Sequence, residues 1–309
     1  MKLAFLFAGQ GSQKRGMGAD FYAEYPQVRP IFETDAEGLD LRALCFEAPL
    51  ETLSQTRFTQ PCMAAFAAAA TRLLNEAGIF PDCAAGLSLG EYGALHAAGV
   101  LDAKTLVELL AFRGRVMAES AEGENGGMTA VFGLDEAAVS DALAAAGGRV
   151  YCCNFNCPGQ IVIGGERTAV ADAARLCMER GAKRCAALNV SGAFHTPFME
   201  QASERLARKL ELMTFAPARC VVFSNVTGEM IPEDADVKQL LVRQVKAPVR
   251  FEQILKNLSA LGVDAAVEIG PGRVLSGFLQ KTAPDIKGYA IETTADFRHT
   301  VEALKRQEG

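Results

Sequence analysis

The sequence predicts an α/β fold in which one large α/β domain is interrupted by a small, compact antiparallel unit. Three observations predict it. Strand-length apolar runs alternate with helix-length amphipathic segments along most of the 309 residues. Twenty-nine glycines against 12 prolines suit many tight strand–helix turns. Between Gly126 and Val190 the alternation gives way to strand, helix, strand, strand, helix, strand.

The elements follow in order. Lys2–Ala8 is an apolar run read as a buried strand, ended by the glycine-rich loop Gly9–Gly18. Several helical stretches come next, the clearest being Pro61–Ala77 with its alanine-rich centre. Cys83–Gly86 is a short strand that feeds a turn, and Gly90–Ala98 is a helix. Asp102 is placed to cap a further helix, Ala103–Ala121. Then Met128–Gly133 reads as strand and Asp135–Ala146 as helix. Arg149–Asn154 and Gln160–Gly164 are strands joined through Asn156–Gly159, where Pro158-Gly159 supplies the central pair of a type I or II turn. Glu166–Arg180 is helix and Lys183–Val190 is strand, which completes a βαββαβ, ferredoxin-like unit. Afterwards Pro197–Leu212 is helix, Val221–Ser224 strand, and Val237–Gln244 and Phe251–Leu261 helices. Asp264–Glu268 is a strand that Gly270-Pro271-Gly272 turns into the helix Val274–Leu279. The expected division is a discontinuous α/β domain over 1–125 and 191–309, with the ferredoxin-like subdomain at 126–190.

Composition excludes several classes. At 50% hydrophobic and 22% charged residues the chain can bury a core and is not disordered. A net charge of −6 argues against a general nucleic-acid binder. The opening MKLAFLFAGQGSQ lacks a cleavage site of small residues and reads as a first strand rather than a signal peptide. No apolar stretch is long enough to span a membrane. The nine cysteines contain no CxxC pair, and the cluster Cys152, Cys153, Cys157 fits no common zinc spacing. Reduced thiols in a cytoplasmic protein, without a metal or redox cofactor, are expected.

The chemistry concentrates at residues 86–90, Gly-Leu-Ser-Leu-Gly. A serine between two glycines, after a strand and before a helix, is the nucleophile-elbow pattern. The glycines allow a sharp turn, and the helix start aims free N–H groups at a reacting carbonyl. Ser88 needs a base, and the chain has three histidines. His96 lies eight residues along the same helix, about 12 Å of rise away, and is too far. His195, in SGAFHTPFM, or His299, in DFRHT, remains. Arg113 falls on the apolar stripe formed by Leu106, Leu109, Leu110, Val116 and Met117. A buried guanidinium needs a partner. An internal salt bridge is the commoner arrangement, and a grip on a ligand carboxylate is the other. The loop GQGSQKRG at 9–16 lacks the third glycine of a dinucleotide fingerprint, and its backbone N–H groups suit an oxyanion better.

With FLFAGQGSQ, GLSLGEY, FRGRVM, GGMTAV, NFNCPGQIVIGG, SGAFHTPFM, RQVKAPVRF and EIGPGRVLSGFL in this order, the chain resembles the malonyl-CoA:acyl carrier protein transacylases of fatty-acid synthesis and the related acyltransferase domains of polyketide synthases. The resemblance covers nearly the whole chain. It implies a hydrolase-like α/β domain with a ferredoxin-like insert. It implies Ser88 as nucleophile and His195 as base, the imidazole oriented by the backbone carbonyl of Gln244 instead of an acid. It further implies that Arg113 binds the malonyl carboxylate, with Phe194 and Met117 beside the substrate. The N–H groups of Gln10 and Leu89 would form the oxyanion hole. Phe194, a ring beside the α-carbon, leaves little room for a methyl branch, so malonyl is expected over α-branched units. One position departs from the family: Leu87 stands where histidine is usual, and that histidine is not the family's base.

The expected partners are a CoA thioester and an acyl carrier protein, both anionic, acting on a monomer. An acidic chain must then offer a local basic patch, with Arg180, Lys183, Arg184, Lys246 and Arg250 as candidates. The competing readings are a serine hydrolase or thioesterase using Ser88, Asp264 and His299 in α/β-hydrolase order, and a free-standing acyltransferase serving a polyketide synthase.

Overall fold

The computed structural model describes residues 1–308. β1 (Leu3–Phe7) is buried at every position, as expected of a parallel strand covered on both faces. Short helices α1 (Ala19–Glu24), α2 (Arg29–Phe32) and α3 (Leu50–Leu53) precede the long α4 (Thr56–Glu76). β2 (Cys83–Gly86), α5 (Gly90–Ala97) and α6 (Ala103–Ala121) follow, and the Asp102 carboxylate caps α6 by accepting from the Thr105 N–H.

A second run holds β3 (Gly126–Phe132), α7 (Glu136–Ala146), β4 (Val150–Cys157), β5 (Gln160–Glu166), α8 (Arg167–Glu179) and β6 (Arg184–Ala187). The chain then continues through α9 (Glu200–Glu211), β7 (Val221–Val222), α10 (Val237–Gln244), α11 (Phe251–Ala260), β8 (Ala265–Ile269), α12 (Val274–Thr282), β9 (Lys287–Ile291) and α13 (Thr294–Glu308).

Two sheets result. The larger has the order β7-β2-β1-β8-β9, with every pair parallel. Its strand order reverses at β1, whose neighbours β2 and β8 lie on opposite sides. Ligands in open parallel sheets bind outside the carboxyl ends of the strands at such a switch point. The loops after β1, β2 and β7 therefore meet there. Gly90 explains how closely: a Cβ at that position would lie 2.2 Å from the Phe7 carbonyl oxygen, so only glycine lets α5 start against the end of β1.

The smaller sheet has the order β4-β5-β3-β6 and is antiparallel throughout, the ferredoxin-like arrangement. α7 and α8 cover one face, around Val131, Ile163, Val139 and Val170. The unit is tied to the larger sheet's body by backbone bonds between β4 and Val249: Phe155 N–H to Val249 O at 2.8 Å, and Val249 N–H to Cys153 O at 2.8 Å.

Three elements differ from the sequence reading. The helix read from Pro61 begins at Thr56, with the proline inside it. Proline removes one N–H there, and the first turn is anchored instead by the Thr59 N–H and Oγ1, which both bond carbonyls upstream. The single helix read over 197–212 is a 3-10 turn, Pro197–Met199, followed by α9. Strand β9 and helix α13 lie beyond the last element read from sequence. Among the described residues no helix is long and apolar enough to cross a membrane.

Candidate active site

Ser88 sits at the tip of the turn between β2 and α5 with φ 55°, a left-handed conformation that costs a non-glycine residue about 1–3 kcal/mol. Asn225, just past β7, holds that tip in place. Its Oδ1 accepts from the Ser88 N–H at 2.7 Å, and its Nδ2 donates to Gly86 O at 2.7 Å. Gly86 and Gly90 flank the turn because neither could carry a side chain: a Cβ on Gly86 would lie 2.0 Å from the Gly90 carbonyl carbon. Leu87 packs against the apolar cluster beneath the turn.

His195 is brought in by the loop that follows the small sheet. It too has a positive φ, 61°, and its N–H bonds Val245 O at 3.2 Å. Its Nε2 lies 2.7 Å from Ser88 Oγ, and its Nδ1 lies 2.8 Å from the backbone oxygen of Gln244. A carbonyl can only accept, so Nδ1 carries the proton and the Nε2 lone pair faces the hydroxyl. Burial, and then the nearby Arg113 charge, push the imidazole down to about 4. It is therefore neutral near pH 7 and able to receive a proton.

Arg113 is 1% exposed. The internal salt bridge favoured by spacing is absent among the described residues. Its Nη1 donates to Gln60 Oε1 at 2.7 Å, and its Nη2 donates to Gln244 Oε1 at 2.9 Å and reaches Ser88 Oγ at 3.3 Å. Nε has no partner among the described residues, and the guanidinium lies 5.2 Å from the centre of the Tyr92 ring. α4 can deliver Gln60 to this point because α6 approaches it closely at Gly114, where a Cβ would meet Thr56 O at 2.8 Å. Met117, one turn along α6, is buried, and its Sδ accepts from Gln60 Nε2 at 3.4 Å. Phe194 is buried beside His195.

The loop after β1 lies alongside. Gln10 is fixed by its own side chain, which donates to Thr56 Oγ1 at 3.0 Å. The backbone N–H groups of Gln10 and Leu89 make no hydrogen bond among the described residues, so two donors stand free beside the serine turn.

The other histidines lie elsewhere. His96 is half-buried at the far end of α5, with Nδ1 2.8 Å from Leu101 O. His299 is exposed on α13, and the Asp264 carboxylate accepts from the Lys2 backbone N–H at 2.6 Å. The hydrolase-order trio is thus not assembled. Of the basic candidates, Arg184 pairs with Phe132, about 20 Å along β3 from the end that meets the His195 loop, and Lys183 also lies against Phe132 there. Arg180 ends α8. Lys246 pairs with Glu200 at 2.6 Å, and Arg250 stacks over Phe155. Two cations not read from the sequence are better placed. Arg149 lies over the Phe198 ring at 4.0 Å, and Arg167 donates to Gly126 O at 3.0 Å, where the sheet abuts the His195 loop. Sequence reasoning also missed Gln60, Glu91, Asn225 and the side chain of Gln244. A buried glutamine on an apolar helix face was the one available signal, at Gln60.

Known proteins resemble this chain along its length. The acyl transferase domain family is matched over residues 4–303. A Bacillus subtilis protein named malonyl CoA-acyl carrier protein transacylase is 40% identical over 311 residues, covering 99% of this chain and 98% of the relative. The solved transacylase of the same name from Clostridium perfringens superposes with a TM-score of 0.95 at 36% identity, covering 100% of this chain and 98% of that one. A malonyl-transacylase solved in complex with a type II PKS acyl-carrier protein superposes with a TM-score of 0.94 at 37% identity, covering 98% and 100%. Sequence and three-dimensional likeness both run the length of the chain, and the chain accordingly belongs to the acyl transferase domain family.

Proposed function

We propose that this chain moves a malonyl group from malonyl-CoA to the phosphopantetheine thiol of an acyl carrier protein, through a malonyl ester on Ser88. The observation that carries this reading is Arg113. It is a buried cation that meets only neutral groups and stands 3.3 Å from the serine hydroxyl. A plain esterase has no use for it, whereas a group ending in a carboxylate does.

In this reading the malonyl carboxylate pairs with the guanidinium, and the thioester carbon comes over Ser88 Oγ. His195 Nε2 takes the hydroxyl proton as the C–O bond forms. The oxyanion rests on the N–H groups of Gln10 and Leu89. Collapse breaks the C–S bond, and the imidazolium returns its proton to the departing sulfur of CoA. The carrier thiol then gives its proton to His195 and attacks the ester, and as the C–O bond to Ser88 breaks the imidazolium returns that proton to Ser88 Oγ. Phe194 and Met117 would flank the acyl group, and the ring of Phe194 disfavours an α-methyl branch by about 1–3 kcal/mol.

The partner is an acyl carrier protein. The relative solved with a type II PKS carrier supports a carrier of either biosynthetic kind. Arg149 and Arg167, at the rim of the site, suit the phosphate of the pantetheine arm. Reversing both charges should raise KM for carrier about tenfold or more and flatten its salt dependence. Unchanged values would remove them. The reading as a whole is tested by following the mass of a phosphopantetheinylated carrier mixed with enzyme and malonyl-CoA. A carrier that gains no malonyl group would refute it.

A further inference from the structure

One buried acid in the site has no part in the transfer steps. Glu91, in the first turn of α5, is fully buried, and its Oε1 has no hydrogen-bond partner among the described residues. Its Oε2 accepts from the Gln244 side-chain amide at 2.5 Å and from the Asn225 N–H at 3.2 Å. The same amide nitrogen donates to Ser88 O at 3.0 Å, and the amide oxygen accepts from Arg113 at 2.9 Å. The orientation of this carboxamide is forced. Carboxylate and carbonyl can only accept, so the NH2 turns to them and the oxygen turns to the guanidinium.

A neutral amide therefore separates two buried opposite charges. Arg113 keeps a counter-charge close by yet stays unsaturated, with Nε free. A carboxylate-bearing acyl group that pairs with it brings a second anion to one buried cation. Two anions on one buried cation are costly. The titratable groups acting on Glu91 are Arg113 from α6 and Tyr92 beside it on α5, while His195 meets Ser88 from its own loop; α10 and the segment after β7 present the neutral Gln244 and Asn225. None of these can absorb the surplus charge as directly as Glu91 itself. A proton on its bare Oε1 would leave both bonds to Oε2 intact.

We propose that Glu91 is a positioning residue for acyl selection: through the Gln244 carboxamide it keeps Arg113 ready for a carboxylate, and it takes up one proton from solvent when such an acyl group binds. The inference rests on the malonyl reading of the site. Burial already pushes the Glu91 carboxyl up to about 7, so either state is accessible near neutrality.

The test is the pH dependence of KM for malonyl-CoA and for acetyl-CoA. In the wild type, KM for malonyl-CoA should rise about tenfold per pH unit once Glu91 ionises above about pH 7, while KM for acetyl-CoA stays flat. Glu91→Gln fixes the neutral state with the same shape, and its KM for malonyl-CoA should hold the low value at every pH. An unchanged slope in Glu91→Gln, or the same slope with acetyl-CoA, overturns the proposal. If Glu91→Gln does not fold, calorimetry decides. Ser88→Ala protein titrated near pH 8 in buffers of different ionisation enthalpy should take up close to one proton more with malonyl-CoA than with acetyl-CoA. Equal uptake overturns the proposal. Failure of the malonyl reading looks different: no malonyl transfer at any pH.

Discussion

His195→Ala lowers malonyl transfer by about a thousandfold or more, and His299→Ala leaves it within about twofold of wild type. The first effect follows from the 2.7 Å contact between Nε2 and Ser88 Oγ, with Nδ1 tied to the Gln244 carbonyl. Among the described residues no other group at the serine can accept a proton: Arg113 is a donor, and the Glu91 carboxylate is turned toward Gln244. The second follows from the exposed position of His299 on α13. A pH profile separates loss of the base from loss of structure. Burial and Arg113 lower the His195 pKa to about 4, so the imidazole stays neutral well below its ordinary titration range. Wild-type kcat/KM for an uncharged acyl-CoA should therefore hold as pH falls through 6.5 and decline only near about 4. The same shift has a sign for stability. Between those values the unfolded chain binds the proton and the folded one does not, so this histidine lowers stability as pH falls. His195→Ala should lose less stability on acidification than the wild type. Stop-flow acylation and thermal unfolding against pH check both statements.

Arg113→Ala is expected to cut malonyl transfer by roughly 150- to 4,000-fold, the scale of about 3–5 kcal/mol for unpairing a buried charge. Acetyl transfer should fall far less, because an acetyl group has no carboxylate to hold. The ratio of the two rates is the useful quantity. Arg113 also bonds Gln60 and Gln244, so its removal leaves two buried amides short of a partner and reduces the folded fraction. A smaller folded fraction lowers both rates together, whereas loss of the carboxylate grip changes their ratio. Rates measured side by side with malonyl-CoA and acetyl-CoA decide the matter, and an equal fall in both would mean that Arg113 does not recognise the acid.

The two-sheet architecture was legible in the sequence because its strands are short apolar runs ended by glycine and its helices carry clear stripes. The cap at Asp102 and the span Val237–Gln244 appear where the pattern puts them. β9 was missed because it is an edge strand that starts on Lys287 and Gly288 and buries only its last residues. The hidden proline of α4 was missed because proline usually starts a helix, and here tertiary packing outweighs that tendency.

At the site, Ser88 stood out by its flanking glycines, and Arg113 by a charge on an apolar stripe. The spacing also favoured the wrong partner for Arg113, a carboxylate in place of two amides. Nothing local could have corrected it. Gln60 and Gln244 lie 53 and 131 positions from Arg113, and Glu91 reaches it through one of them. A network whose members meet only in the folded chain leaves no periodic trace. The resemblance to a known family supplied the choice of His195 over His299, which the residues alone left open.

The central claim is that Ser88 carries the acyl group between two thiols. Intact mass, followed by peptide mapping, after mixing the enzyme with malonyl-CoA tests it most directly. The account predicts a single malonyl adduct on Ser88, discharged faster by a phosphopantetheinylated carrier than by buffer. An unmodified Ser88 in an enzyme that still transfers malonyl, or an adduct that water removes as fast as the carrier does, would contradict it.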